Sequence, residues 1–224
     1  MHKFFPSFIN IRYRKTAVMR LFVHNSYERG VFMFRYSYEI LVNKQNRLDK
    51  AFVPRPLVRP AIPFDASADD PKRLLEADAA QAAEELFAYA KAAGLSLWGI
   101  SGYRPYSRQA EIYRNAADIR YVAPPGASEH QTGLALDVSC PRNSLELTES
   151  FAGTPEGQWL SKNAHLHGFI LRYPREKEKI TGYAWEPWHI RYVTKSLSLY
   201  LALTGLALEE WVTLHSPIRT RTSP

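Results

Sequence analysis

The chain has 224 residues, 46% of them hydrophobic and 23% charged, which suits one globular domain with its own core and excludes global disorder. A formal net charge of +7 favours polyanionic partners, but no long Lys/Arg run or nucleic-acid-binding motif accompanies it, so no nucleic acid is expected; peripheral contact with an anionic wall or membrane surface stays open. One cysteine, Cys140, excludes an intrachain disulfide and a multi-cysteine zinc site, and no apolar run approaches the ~20 residues of a membrane span.

Residues 1–37 are basic and aromatic, without an apolar stretch followed by a small-residue cleavage site, and read as an extension of unclear structure. Residues 38–214 read as the folded domain and 215–224 as a tail. Tyr38–Val42 is a short strand candidate, followed by an extended, Pro-punctuated segment to Pro63. Asp70-Pro71 has the pattern of a helix N-cap followed by Pro, and Leu75, Ala79, Ala82, Leu86, Tyr89 and Ala93 recur at helical spacing up to Gly94, predicting a helix over 71–93. Leu95–Ile100 reads as a buried strand, and Ser107 as the cap of a helix to about Ala117 with Ile112, Tyr113 and Ala116 inside. Leu134–Ser139 alternates as a strand, with Asp137 on its less apolar side. A helix over Glu156–Leu166, a strand over Phe169–Arg172, a charged loop Tyr173–Gly182, a strand over Ala184–Val193 and two helices parted by Gly205 complete the order. The pattern predicts an α+β fold, a small antiparallel sheet flanked by helices.

Three constellations carry chemistry. In Ser128-Glu129-His130-Gln131-Thr132-Gly133-Leu134-Ala135-Leu136-Asp137, an imidazole and a carboxylate, both good zinc donors, stand either side of a turn at Gly133. Alone, such a pair is more often a simple hydrogen bond. In Trp185-Glu186-Pro187-Trp188-His189, a carboxylate stands three residues from a second imidazole, where it can take the proton of an attacking water. Positions three apart face opposite sides of a regular strand, so both can serve one metal only if the chain bends at Pro187. In Ser101-Gly102-Tyr103-Arg104-Pro105, a guanidinium at a strand end suits a carboxylate or a developing oxyanion. Together they make a three-ligand site with an open position, a base and a cation. His165-Leu166-His167 reads instead as a helix C-terminal feature, and Cys140 as a small packed residue. Tyr103, Tyr113, Trp159, Phe169 and Tyr192 read as core or pocket wall.

At these motifs, and at Leu41–Lys44, Gly168–Pro174, Lys179–Tyr183 and Glu186–Val193, the chain resembles the VanY-type D-alanyl-D-alanine carboxypeptidases, cell-wall zinc peptidases that include LdcB-type L,D-carboxypeptidases and, more distantly, VanX-type dipeptidases. The resemblance implies one Zn2+ per chain held by His130, Asp137 and His189, with Glu186 as catalytic base and Arg104 steadying the scissile carbonyl or the substrate carboxylate. It places Gln109 and Ser128 at the substrate site, to which Trp188 and Tyr192 are added as substrate-binding candidates. It implies peptidoglycan stem peptides as substrates and a location outside the cytoplasm. An endopeptidase, a dipeptidase or a non-catalytic wall-binding module are the alternatives.

Overall fold

A computed structural model describes residues 38–54, 56–116 and 122–215. The expected extension 1–37, nearly all of the tail and the expected end of the second helix at Ala117 lie outside these. The described elements are β1 (Leu57–Val58), β2 (Leu75–Glu76), α1 (Ala77–Ala92), β3 (Trp98–Ser101), α2 (Tyr106–Arg114), β4 (Ala135–Ser139), α3 (Pro155–Asn163), β5 (Phe169–Tyr173), α4 (Glu178–Thr181), β6 (Glu186–Tyr192), α5 (Lys195–Thr204) and α6 (Leu208–His215). Short 3-10 turns link several of them. β3, β4, β6 and β5 form one antiparallel sheet in that order, and β1 pairs with β2 in a second. The fold is α+β, as expected.

The sheet has an apolar face and a polar one, and both are buried. Leu136 and Val138 of β4, Trp188 and Ile190 of β6 and Phe169 of β5 join the core cluster with Ala79, Ala83, Leu86 and Phe87 of α1. Alternation sends Asp137, His189, Arg191 and Arg172 to the other side. Every residue of β4 is buried, so the polar side anticipated for this strand faces the interior of a site and not solvent.

Several boundaries differ from expectation for identifiable reasons. Asp70 caps only a 3-10 turn over Pro71–Arg73, accepting from the Lys72 amide at 2.9 Å. The backbone of the next residues is taken by other partners: Leu75 and Glu76 pair with Val58 and Leu57, and the Leu74 carbonyl accepts from Tyr103. The helix starts at Ala77, capped by the Glu76 carboxylate, which accepts from Asp78 and Ala79. Tyr38–Val42 is not a strand: it opens with a turn at Tyr38 and Glu39, and the Tyr38 and Ile40 carbonyls accept from the Arg191 guanidinium at 3.1 and 2.9 Å. Helix α2 begins after Pro105 with no side-chain cap, and its one buried side chain is Gln109, while Ile112, Tyr113 and Ala116 are half-buried. Strand β3 is displaced toward the site, over Trp98–Ser101, and the expected loop 173–182 contains the short helix α4.

His165 and His167 lie in a 3-10 turn that ends at Gly168, whose φ of 88° reverses the chain. A Cβ on Gly168 would meet the Tyr192 ring at 2.6 Å, so the turn also needs glycine for space. Cys140 is fully buried.

Candidate metal centre and active site

The first segment of the site is a 3-10 turn over Glu129–Thr132 closed by Gly133 at φ 69°. The Thr132 hydroxyl donates to the Glu129 carbonyl and accepts from the Leu134 amide, which fixes the turn. The His130 carbonyl accepts from Arg104, and the Gly133 carbonyl from Glu76, so this turn, the 101–105 loop and β2 are held as one unit. The chain then enters β4, where Asp137 pairs with His189 of β6 and, across the other edge, with Ser101.

The bend required near Pro187 is present as a β-bulge. Leu171 pairs with Ile190 and Tyr173 with Glu186, so two steps along β5 answer four along β6. The surplus turns Glu186 to the side of His189, with its Oε2 3.8 Å from His189 Nδ1.

One ligating atom from each of His130, Asp137 and His189 lies within 4.8 Å of the others, and all three residues are buried. His130 Nε2 is 3.1 Å from Asp137 Oδ2, and His189 Nδ1 is 2.9 Å from Asp137 Oδ1. His130 Nδ1 lies 2.7 Å from the Gly102 carbonyl, which requires the proton on Nδ1 and leaves the Nε2 lone pair for a metal. Two imidazoles and one carboxylate, converging on one point with a position left open toward a pocket, fit the donor chemistry of Zn2+.

Electrostatics separates the two carboxylates. Burial opposes ionisation of Asp137, but His130 and His189 outweigh it and hold the carboxyl well below its usual range. Burial pushes Glu186 up to about 8, helped by the Asp137 charge and opposed by His189 and Arg104. Burial also works against the charged form of His189, yet its hydrogen bonds to Asp137 and Glu129 push the imidazole up to about 9. Burial alone leads for His130, whose pKa falls.

A pocket of about 270 Å3 opens over these groups, walled by Arg104, Gln109, Ser128, Tyr173, Tyr183 and Trp188. Arg104 is fixed before any ligand arrives: Nη1 donates to Gln109 Oε1 and Nη2 to Ser101 Oγ, both at 2.9 Å, with Asp137 Oδ2 3.7 Å away. Gln109 therefore orients Arg104, itself anchored by donating to the Ala123 carbonyl at 2.6 Å. Ser128 and Trp188 line the pocket, but Tyr192 does not reach it. Its ring packs 5.4 Å from Tyr38 and 5.5 Å from Phe169, because strand alternation puts Tyr192 with Trp188 and Ile190 on the core side of β6. Tyr173 and Tyr183, which the sequence reading did not single out, supply that aromatic wall, and Tyr173 lies 4.9 Å from the His189 ring.

Beneath the centre is a buried charge network that sequence reasoning also missed. Glu129 Oε1 accepts from Arg172 Nε at 2.8 Å and Arg191 Nη1 at 2.6 Å, and Arg172 donates its remaining nitrogens to Glu209 of α6. Burial opposes the Glu129 charge, but the two guanidiniums hold its carboxyl well below its usual range. The available signal was an arginine near the end of each of two largely apolar strands, β5 and β6.

The profile of the VanY family, described as D-alanyl-D-alanine carboxypeptidase, matches residues 72–195, which include every residue of this centre. The chain belongs to the VanY family. YodJ of Bacillus subtilis (strain 168), named as a carboxypeptidase, is 43% identical over 178 residues, covering 76% of this chain and 65% of that protein. The LdcB LD-carboxypeptidase structure matches with a TM-score of 0.74 at 43% identity, over 77% of this chain and 84% of that one. A mutant of the vancomycin-resistance D,D-pentapeptidase VanY in complex with Zn(II) matches with a TM-score of 0.64 at 31% identity, over 79% and 99%. The chain spans only 35% and 52% of the D-alanyl-D-alanine carboxypeptidases of Enterococcus faecium and Enterococcus faecalis that it matches.

Proposed function

We propose that this chain is a zinc-dependent carboxypeptidase that removes the C-terminal D-alanine from peptidoglycan stem peptides, acting outside the cytoplasm. The observation that carries the reading is the convergence of His130, Asp137 and His189 within 4.8 Å, with Glu186 3.8 Å from His189 at the base of a pocket. Zn2+ held by these three residues would supply Lewis acidity, activating a water near neutral pH and polarising the scissile carbonyl. Glu186 takes the proton of the attacking water and passes it to the leaving amine. Arg104, pre-oriented by Gln109 and Ser101, pairs with the developing oxyanion or with the terminal carboxylate. The Tyr173, Tyr183 and Trp188 rings give the D-alanine side of the pocket an apolar wall.

The higher identity and TM-score to the LD-carboxypeptidase favour cleavage of the L,D bond of a tetrapeptide stem, and the D-alanyl-D-alanine description of the family favours the D,D bond of a pentapeptide stem as the second reading. Mass spectrometry of defined tetra- and pentapeptide muropeptides, incubated with zinc-loaded and chelator-treated protein, decides among them. Zinc-dependent loss of one alanine is the expected result. Internal cleavage or release of a dipeptide would move the reading to an endopeptidase or dipeptidase, and intact substrates to a wall-binding module.

Arg104→Lys should lower kcat/KM by ~10²–10³-fold, because the lysine keeps the charge but not the fork that meets Gln109 and Ser101. Steady-state kinetics on the preferred stem peptide also separates its two roles. A fall in kcat points to the oxyanion, whereas a rise in KM points to the substrate carboxylate.

A further inference from the structure

We propose that Glu129 is a positioning residue for the metal centre: its Oε2 accepts a hydrogen bond from the Nε2–H of His189 and thereby turns the His189 Nδ1 lone pair toward the point shared with His130 and Asp137. This rests on the zinc reading above. Glu129 has no solvent-exposed side-chain surface, and both arginine contacts fall on Oε1. Its Oε2 faces His189 Nε2 at 3.5 Å, and neither atom has another hydrogen-bond partner among the described residues. A buried acceptor and a buried donor left facing one another are costly apart and are both satisfied by a small approach.

The two imidazoles become comparable on this view. A neutral imidazole has one donor and one acceptor nitrogen, so anchoring the proton on one frees the other. His130 is anchored at Nδ1 by the Gly102 carbonyl and offers Nε2. His189 is anchored at Nε2 by Glu129 and offers Nδ1, which lies 2.9 Å from Asp137. Arg172 and Arg191 hold the carboxylate rotated so that Oε2 points at the ring, and a carboxylate at this point can only accept.

Glu129→Gln reverses that hydrogen bond. The arginines retain the amide oxygen, the amide nitrogen faces His189 Nε2, and the ring proton moves to Nδ1. Zinc affinity, measured by competition with a chromophoric chelator, should fall ~10–100-fold. Glu209→Gln disturbs the same arginine without reaching His189, and should bind zinc as the wild type does while losing stability. Long-range proton–nitrogen NMR of the zinc-loaded wild type should place the His189 proton on Nε2. Wild-type zinc affinity in Glu129→Gln, an equal loss in Glu209→Gln, or a proton on Nδ1 would each overturn the inference while leaving the zinc reading intact. A wild-type chain that takes up no zinc would overturn the zinc reading and this inference with it.

Discussion

Glu186→Gln will keep the metal content of the wild type and lose ~10²–10⁴-fold in D-alanine release, the range for removing a positioned general acid–base. The substitution conserves volume and leaves His130, Asp137 and His189 untouched, so inductively coupled plasma emission should report unchanged zinc. Near wild-type turnover would remove Glu186 from the reaction. The same variant carries a second expectation, of opposite sign, in the metal-free protein. Burial raises the Glu186 pKa from 4.5 to about 8, so the folded chain holds this proton more tightly than the unfolded chain does. Its contribution to stability is complete below pH 4.5 and is lost as pH rises through 8. Metal-free Glu186→Gln, neutral throughout, should therefore melt higher than metal-free wild type at alkaline pH and show a flatter pH dependence between those limits. Parallel thermal melts of the two chains across that pH range check it. The residue would thus be one whose catalytic use requires a charge that the bare fold disfavours.

The centre was legible from the sequence because its reactive residues stand in short polar segments interrupting apolar strands: His130 beside a glycine turn, Asp137 in an alternating strand, Glu186 and His189 about a proline. The requirement for a bend at Pro187 followed from strand parity alone, and a two-residue surplus in β6 meets it. What parity could not supply was the far partner. The spacing starts helix α1 six residues too early because Pro71 to Glu76 carry a plausible cap and helical spacing, while their backbone groups pair with Leu57, Val58 and Tyr103. Tyr38–Val42 has the composition of a strand, and the sequence does not reveal that the Arg191 side chain takes the Tyr38 and Ile40 carbonyls. Tyr192 stands three residues from His189 along a regular stretch of β6, so alternation turns its ring to the core side and away from the pocket. Glu209 gave no signal: in sequence it is one of two acidic residues opening an exposed-looking helix.

Arg172→Ala should destabilise the fold by ~3–5 kcal/mol, the usual effect of removing one member of a buried ion pair. Four side chains balance in this network: Glu129 and Glu209 against Arg172 and Arg191. Arg172 has no exposed side-chain surface and is the group that touches both carboxylates. Its loss leaves Glu209 with only a long contact at 3.4 Å from Asn43 among the described partners and leaves Arg191 as the one guanidinium on Glu129. Chemical denaturation should show the midpoint falling with the slope unchanged. Removing the stranded charge as well restores the balance, so Arg172→Met combined with Glu209→Met should cost less than the sum of the two single changes. Additive losses would mean that Arg172 acts through packing and not through charge. The network also gives α6 a defined place in the order of unfolding. Glu209 is its deepest polar anchor, whereas Lys177 to Glu210, at 2.8 Å, is half-exposed and contributes little. In Arg172→Ala, amide exchange should accelerate first in α6, before the sheet that carries His189, since the helix loses its buried anchor while the strand ladder stays intact.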